Sequence, residues 1–318
     1  MKILVHYPFE EEQFATFRRI GRECGSHEVA CATDDQDAVS HAPGCEAILG
    51  YFKPQVCAAA PELRWIQSFS AGMDKFLFDD VIARDEVSIS NMAGLYAPQG
   101  GEHAWALLLA LTRGIDEAVR YNSQREWRGG ATVELTDKTL GIIGMGGFGV
   151  EMAKRAAGYD MCVIAIDPVR CDRPQSVDEL KESSRETLYD LLSRADVVMM
   201  ACPRTEATYH LIGRDELLQM KNSAYLINVT RGGIIDEGAL VDALEMGEIA
   251  GAGLDVVEEE PLSASSPLWD APNLILTPHR AGASQHRPRK IFEFFCAQLE
   301  RYLRGETPLN IVDKRRGF

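Results

Sequence analysis

A glycine-rich turn constrains the fold of this chain more than any other feature of its sequence. In GIIGMGGFG (141–149) the glycines follow the G-x-G-x-x-G pattern, directly after the apolar run TLGIIG and before the helical stretch VEMAKRAAG. In a strand–turn–helix unit, such glycines permit a tight turn, bring backbone amides close to a pyrophosphate and let helix and strand pack closely. The pattern therefore predicts a dinucleotide site formed by Gly144, Gly146, Gly147, Phe148 and Gly149.

The chain around this turn alternates short apolar runs with helical stretches. One series contains KILVHY, HEVACA, EAILGY, LRWIQSF and VSISN, and a second contains TLGIIG, MCVIAID, ADVVMMAC, AYLINVT, GAGLDVV and LILTPH. Short apolar strands that alternate with helices are typical of parallel sheets covered on both faces. The sequence thus predicts an α/β protein with two doubly wound parallel-sheet domains, one of Rossmann type and one flavodoxin-like.

The connections between the two series suggest a discontinuous first domain. One long helix is predicted, with Pro98 in its first turn and apolar positions at helical spacing through HAWALLLALTRGIDEAVRYNSQ (103–124). An extended arm or loop is predicted over REWRGGATVELTD (125–137). The amphipathic stretch IFEFFCAQLERYLRG predicts a C-terminal helix that returns to the first domain. The expected bounds are 1–97 with 286–318 for the first domain and 98–285 for the second.

Charge and composition exclude several classes of protein. The chain has 33 Lys and Arg against 48 Asp and Glu, a net charge of −15, which disfavours binding to nucleic acid. It contains no apolar run of membrane-spanning length, and its start is too acidic for a secretory signal. Its eight cysteines lack C-x-x-C or metal-ligand spacing, so reduced thiols, no metal and a cytoplasmic location are expected.

An acidic residue at the end of the next strand bears on the choice of cofactor. Asp167 closes MCVIAID, 18 residues after Gly149. A carboxylate at this position accepts hydrogen bonds from the adenosine ribose and repels a 2′-phosphate, which favours NAD over NADP. The alternative is that Asp167 merely begins the turn before Pro168, and the nearby Arg170 weakens the preference for NAD.

Three segments downstream of the turn carry the residues for one reaction. NVTRGG (228–233), GLDVVEEEP (253–261) and LTPHRAG (276–282) contain Arg231, Glu260 and His279. Reduction of a ketone leaves negative charge on its oxygen, and a protonated histidine can neutralise that charge. A nearby carboxylate would stabilise and orient the imidazolium, and a planar guanidinium suits a substrate carboxylate. The alternatives are a capping arginine, an acidic loop in solvent and a turn histidine.

These motifs, with SAGMD (70–74) and APQGGEHAWALLLAL (97–111), resemble the D-isomer-specific 2-hydroxyacid dehydrogenase family from about Ala47 to Arg289. The resemblance implies that Arg231, Glu260 and His279 are catalytic and that Arg231 and His279 also bind the substrate. It further implies cofactor contacts from Cys202, Pro203, Thr208, Thr230 and Asp255, and substrate contacts from Phe52, Ser70, Ala71 and Gly72. The alternatives are a core position for Phe52 and an ordinary strand-to-helix turn for SAGMD. The first domain would bind the substrate and the second NAD.

Four further positions bear on the cofactor, the substrate or the assembly of the protein. Arg204 and Arg280 replace apolar residues of the family pattern, and Arg280 is either simply exposed or provides charge for a larger or doubly charged substrate. His103 either packs at a hinge or contacts the substrate. Trp127 lies in the arm that family members exchange across a dimer, so a homodimer is expected.

The expected function is that of an NAD-dependent oxidoreductase that interconverts 2-oxo acids and D-2-hydroxy acids. A nicotinamide-sensing regulatory protein of the same fold, like the corepressors that keep the same three residues, is the alternative. Formate dehydrogenases use a neutral amide as the partner of their histidine, so Glu260 argues against that branch. The substrate itself is left open.

Overall fold

The computed structural model describes residues 1–130 and 132–318. These residues divide into two compact units, Met1–Tyr96 with Ser284–Phe318 and Ala97–Ala283. The division lies one residue before the first expected junction, at 97, and two before the second, at 285.

The first unit is built on a five-stranded, fully parallel sheet with the order β2-β1-β3-β4-β5. Its strands are β1 Lys2–His6, β2 Glu28–Ala32, β3 Cys45–Gly50, β4 Trp65–Ser68 and β5 Ser88–Ser90. Its first helices are α1 Glu11–Glu23, α2 Asp35–His41, α3 Pro54–Ala58 and α4 Asp79–Ile82. The central strands are buried along most of their length because helices cover both faces of the sheet.

The second unit contains a seven-stranded parallel sheet with the order β12-β11-β10-β9-β6-β7-β8. The strands are β6 Thr139–Ile143, β7 Cys162–Asp167, β8 Glu179–Glu182, β9 Val197–Met200, β10 Tyr225–Asn228, β11 Gly251–Leu254 and β12 Leu274–Leu276. The helices are α5 Ala97–Thr112, α6 Ile115–Ser123, α7 Gly147–Ala156, α8 Arg185–Arg194, α9 Arg214–Leu217 and α10 Glu237–Glu245.

The order of this second sheet reverses between β6 and β9. From β6 the chain builds β7 and β8 on one side, and it then crosses to build β9 to β12 on the other. Loops at the carboxyl ends of strands diverge at such a reversal, and they leave a crevice that binds ligands in many open α/β sheets. The two parallel-sheet domains expected from the sequence are confirmed.

The last helix, α11 Arg287–Leu303, belongs to the first unit. It packs through aromatic rings, since Phe292 meets Phe17 of α1 at a centroid distance of 5.5 Å and Tyr302 stacks on Trp65 at 4.6 Å. The buried Gln298 donates to the Gln67 side chain and to the Leu309 carbonyl. These contacts explain why a helix far along the chain completes the first unit.

Three local features differ from the sequence-based expectation or extend it. The long helix predicted over 103–124 is broken at Gly114, whose φ of 61° lies in the left-handed region that ends a helix. The edge strand β8 was not predicted, because its sequence ELKE has no apolar signal. The described residues of the predicted arm, 125–137, contain no helix or strand, and Ala131 lies outside the described residues.

Across the described ranges, no helix is long and apolar enough to span a bilayer. The cysteines at positions 24, 31, 45, 57, 162, 171, 202 and 296 are all free thiols. Within the part of the chain that the structure describes, no group of three or more histidine, cysteine or acidic residues is arranged to hold a metal ion.

Candidate active site

The glycine turn lies at the reversal point of the second sheet. Gly144 follows β6 with φ of 96°, and a Cβ atom there would lie 2.6 Å from the backbone nitrogen of Cys202 in the loop after β9. A Cβ atom at Gly149 would clash with the Gly144 carbonyl, whereas Gly146 faces open space. The turn is thus closed on its protein side and open where α7 begins, which fits a pyrophosphate bound by helix N-terminal amides.

Phe148 has a different position from the glycines around it. Its side chain is half-buried and packs against the core of the second unit, next to Gly100 of α5. Its backbone amide lies at the start of α7, where helix N-terminal amides suit an anion. The predicted cofactor contact of Phe148 stays a prediction.

Asp167 lies at the end of β7, next to the glycine turn. Its Oδ2 accepts a hydrogen bond from the Met145 amide at 2.6 Å, and its Oδ1 accepts from the amides of Val169 and Arg170. The Arg170 guanidinium donates to the Met145 carbonyl at 3.0 Å and to Asp172 at 2.7 Å. The carboxylate is therefore fixed beside the glycine turn, and the nearby arginine already has an acidic partner.

In the loop after β9, the side chains of Cys202 and Thr208 interact with other protein groups. Cys202 is buried, and this burial raises the pKa of its thiol to about 12. The Thr208 hydroxyl donates to the Pro203 carbonyl at 2.7 Å, within the same loop. Both side chains therefore pack or bond within the loop, and the predicted contacts of Cys202, Pro203 and Thr208 with the cofactor stay predictions. The Arg204 guanidinium lies 5.2 Å from the ring centre of Tyr209.

The three predicted catalytic residues follow adjacent strands of this sheet. Arg231 follows β10, Glu260 follows β11 and His279 follows β12. The carboxyl ends of parallel strands share one edge, so these loops emerge side by side. A Cβ atom at Gly232 would clash with the Val257 carbonyl, which shows how closely the loops after β10 and β11 approach.

His279 and Glu260 form a direct pair. Nδ1 of His279 lies 2.8 Å from Oε2 of Glu260 and 3.0 Å from its Oε1. The histidine side chain is 47% exposed and the glutamate side chain 26% exposed. Because Nδ1 faces the carboxylate, Nε2 is the ring nitrogen left to exchange a proton with a ligand.

Arg231 is held by the end of β10. Its Nη1 donates to the Thr230 carbonyl at 2.7 Å, and the Asn228 side chain donates to the Arg231 carbonyl at 2.8 Å. Thr230 is buried, and its amide and hydroxyl both donate to Oδ1 of Asn228. The loop that carries the guanidinium is therefore rigidly bonded to its own strand.

The acidic run EEE (258–260) is not a simple solvated loop. Glu258 accepts hydrogen bonds from the Tyr209 hydroxyl at 2.6 Å and from the His210 ring at 3.1 Å. These two bonds hold the pKa of the Glu258 carboxyl below its ordinary value. Glu258 thus anchors the loop that presents Glu260, while Glu259 is exposed.

Asp255 has a role that the sequence did not reveal. Its side chain is fully buried and accepts from the Thr277 hydroxyl and from the amides of Arg280 and Ala281. Both carboxylate oxygens of Asp255 are thus bonded within the protein, and its predicted contact with the nicotinamide amide stays a prediction. The Arg280 side chain is exposed.

The predicted substrate residues of the first unit divide into two groups. Phe52 is 3% exposed and packs in the core against Phe76 at 5.8 Å, so a substrate contact from its side chain is not supported. Ser70, Ala71 and Gly72 form the turn after β4 and are half-buried. Among the described residues, the amides of Ala71 and Gly72 have no hydrogen-bond acceptor.

The hydrogen bonds of His103 were not predicted from the sequence, which left it either packing at a hinge or contacting the substrate. It contacts Asp255 and Thr277 from α5. It lies one helical turn after Gln99, which donates to the Gly282 carbonyl at 3.4 Å. The spacing of Gln99 and His103, two polar residues one helical turn apart, was the available signal.

Comparisons with known proteins agree with this architecture. The model of the D-isomer specific 2-hydroxyacid dehydrogenase NAD binding domain matches residues 105–281. A glyoxylate reductase from Korarchaeum cryptofilum is 35% identical over 282 residues, which cover 85% of this chain and 83% of that protein. A D-3-phosphoglycerate dehydrogenase from Archaeoglobus fulgidus is 33% identical over 320 residues, covering 98% of this chain and 59% of that protein.

A solved structure extends the likeness to both units. The NADPH-dependent glyoxylate/hydroxypyruvate reductase from Sinorhizobium meliloti, in complex with NADP and sulfate, has a TM-score of 0.83 and 25% identity. The match covers 100% of this chain and 99% of that one. The chain therefore belongs to the D-isomer-specific 2-hydroxyacid dehydrogenase family, as the sequence motifs predicted, and so to the NAD(P)-linked oxidoreductases of 2-oxo and 2-hydroxy acids.

Proposed function

We propose that this protein is an NAD-dependent reductase of small 2-oxo acids that forms D-2-hydroxy acids, with Arg231, Glu260 and His279 as its catalytic residues. The observation that carries the proposal is the bonded pair of His279 and Glu260, on loops adjacent to the one that bears Arg231. A bound dihydronicotinamide supplies the hydride that reduces the carbonyl carbon.

The protein groups perform the remaining steps. The Arg231 fork binds the substrate carboxylate and polarises the carbonyl group. Nε2 of His279 donates its proton to the carbonyl oxygen as negative charge develops there, and Glu260 stabilises the imidazolium before the transfer. The same groups act in reverse during alcohol oxidation, when neutral His279 accepts the hydroxyl proton.

We assign the dinucleotide to the second unit, and we assign to Ser70, Ala71 and Gly72 of the first unit an additional contact with the substrate. Gly144, Gly146 and Gly149, with the amides at the start of α7, would hold the pyrophosphate. The unbonded amides of Ala71 and Gly72, together with Ser70, suit a substrate carboxylate. The 2-oxo acids reduced by the relatives, glyoxylate and hydroxypyruvate, are the first substrates to test.

The preference for NAD rests on Asp167. Its carboxylate is fixed beside the glycine turn by three backbone amides, where it can accept from the ribose hydroxyls and repel a 2′-phosphate. Arg170 is paired with Asp172 and so offers less charge to a phosphate. The relative solved with NADP makes this preference a necessary test.

We also propose a homodimer formed through the arm and α6. Trp127 is fully exposed, and Ile115 and Val119 of α6 are 50% and 64% exposed. No residue of α6 is buried. Exposed apolar residues grouped along a helix and its adjoining arm are typical of a protein–protein interface.

The experiment that tests the proposed function is a panel of 2-oxo acids assayed with NADH and with NADPH by loss of absorbance. We expect sustained turnover, which distinguishes a reductase from a nicotinamide-sensing regulatory protein. His279→Ala should lower the rate at least ~10²-fold. His41→Ala is the matched control, because His41 is similarly exposed and also faces a carboxylate, Asp37. Near-normal turnover by His279→Ala would remove this residue from the mechanism.

A further inference from the structure

The backbone at His279 adopts a conformation that needs support. Its φ of 51° lies in the left-handed region, which is unfavourable for a residue other than glycine. A histidine held there must be constrained by its surroundings. The direction of the imidazole towards Glu260 depends on this backbone conformation.

Asp255 supplies the constraint through three successive amides. The His279 amide donates to the Asp255 carbonyl at 2.7 Å. The Arg280 amide donates to Oδ1 of Asp255 at 2.8 Å, and the Ala281 amide donates to Oδ2 at 2.7 Å. One residue of the β11 end therefore binds the whole turn that carries the histidine.

The Asp255 carboxylate must itself be oriented, since it is fully buried. Burial raises its pKa, but hydrogen bonds from His103, Thr277 and the two amides outweigh this effect and leave the pKa below its ordinary value. The carboxylate is therefore ionised. A buried charge is tolerated only where hydrogen bonds satisfy it, so the donors around Asp255 determine its position.

His103 completes this set of donors from α5. Its Nε2 lies 3.2 Å from Oδ1 of Asp255 and 2.8 Å from the Thr277 hydroxyl oxygen. The Thr277 hydroxyl donates its only proton to Oδ1 of Asp255 at 2.6 Å. The Thr277 oxygen can then only accept from His103, so Nε2 of His103 carries a proton and donates.

The same face of α5 reaches the far end of the turn. Gln99 precedes His103 by one helical turn and donates to the Gly282 carbonyl. Residues at this spacing lie on one face of a helix. The segment 277–282 is thus bonded to α5 near both of its ends.

We propose that His103 is a positioning residue for the reaction. It orients the Asp255 carboxylate together with Thr277, and Asp255 in turn holds the backbone of His279 so that its ring meets Glu260. This inference rests on the proposed function, in which His279 exchanges the substrate proton. It assigns His103 neither to a hinge nor to a substrate contact.

The test compares two substitutions of the same side chain. His103→Leu removes the donor, and a general acid misplaced by a fraction of an ångström should lower kcat about 10- to 100-fold. His103→Gln places an amide donor near the position of Nε2, and it should recover kcat to within about 3-fold of the original protein. KM for the 2-oxo acid should change little in either variant. Glu102→Gln, an exposed neighbour on α5, is the control that should behave as the original protein.

A second measurement needs no turnover. Amide hydrogen exchange of the segment 274–283 should be about 10-fold faster in His103→Leu and unchanged in His103→Gln. Thr277→Val keeps the side-chain volume and removes the hydroxyl, so it should accelerate the same exchange even if His103→Leu fails to fold.

The outcomes separate this inference from the proposed function. Original kcat and original exchange in His103→Leu would overturn the inference, as would a change confined to KM. Loss of kcat with unaltered exchange would also overturn it, because the effect would not pass through the His279 backbone. An inactive original protein would refute the proposed function alone, since the exchange comparison would still stand.

Discussion

Replacing Glu260 by glutamine tests the centre of the proposed mechanism. The substitution removes the negative charge beside His279 and keeps the size of the side chain. Nδ1 of His279 lies 2.8 Å from the carboxylate. At this separation two unit charges attract by about 1.5 kcal/mol in a water-like medium and by about 6 kcal/mol at an effective dielectric constant of ~20.

The exposure of the pair decides between these limits. The histidine is 47% exposed and the glutamate 26% exposed, and the glutamine amide can still accept a hydrogen bond from Nδ1. We therefore take about 1.5–2.5 kcal/mol as the loss of imidazolium stabilisation. This corresponds to a roughly 10- to 70-fold lower rate of reduction where transfer of the His279 proton limits that rate.

The assay is kcat/KM for 2-oxo acid reduction with saturating NADH. In Glu260→Gln we expect kcat/KM to fall by about 10- to 70-fold, because the charge that stabilises the proton donor is lost. Glu259→Gln removes the same charge from the adjacent, exposed position and should leave kcat/KM unchanged. Equal values of kcat/KM for Glu260→Gln, Glu259→Gln and the original protein would refute the reasoning.

Three further predictions test other parts of the structure. Asp167→Ala should lower the ratio of kcat/KM with NADH to that with NADPH by about 10-fold or more, and an unchanged ratio would remove Asp167 from cofactor selection. Because the folded pKa of Asp255 is depressed, its contribution to stability is complete above about pH 4 and is lost as pH falls through the folded pKa. Urea unfolding of Asp255→Asn should accordingly show a flatter decline of the unfolding free energy with acid, and an equally steep decline would contradict the assignment. Trp127→Ser should shift sedimentation towards the monomer, whereas Trp269→Ser, at another exposed tryptophan, should not; an unaltered dimer in Trp127→Ser would exclude the arm from the interface.

The strands were the part of the fold that the sequence predicted best. Continuous apolar runs such as MCVIAID and AYLINVT became buried parallel strands, because such a strand has apolar surroundings on both faces. The strand Glu179–Glu182 was missed since an exposed edge strand is held by backbone bonds that leave no apolar signal. The helix break at Gly114 was missed for a similar reason: helical periodicity continues across it.

In the candidate site, too, some features were predicted from the sequence and others were not. The motifs predicted Arg231, Glu260 and His279 as a set, and the structure pairs two of them directly. Their catalytic roles remain a prediction. Phe52 takes the core position that the sequence left open as its alternative, and Asp255 is also buried, while its predicted contact stays a prediction. Residue type alone does not indicate which way a side chain points.

Local sequence was sufficient for the glycine turn, the alternation of strands and helices, and the choice of an arginine, a carboxylate and a histidine, because each depends on residues close together in the chain. Tertiary structure alone decided that Glu258, two positions before the acid that meets His279, anchors the loop through Tyr209 and His210. It also decided that His103, more than 170 positions before Thr277, shares a buried carboxylate with it. The physical reason is that hydrogen bonds and burial depend on distances in space, which packing of the parallel strands and α5 establishes only in the folded chain.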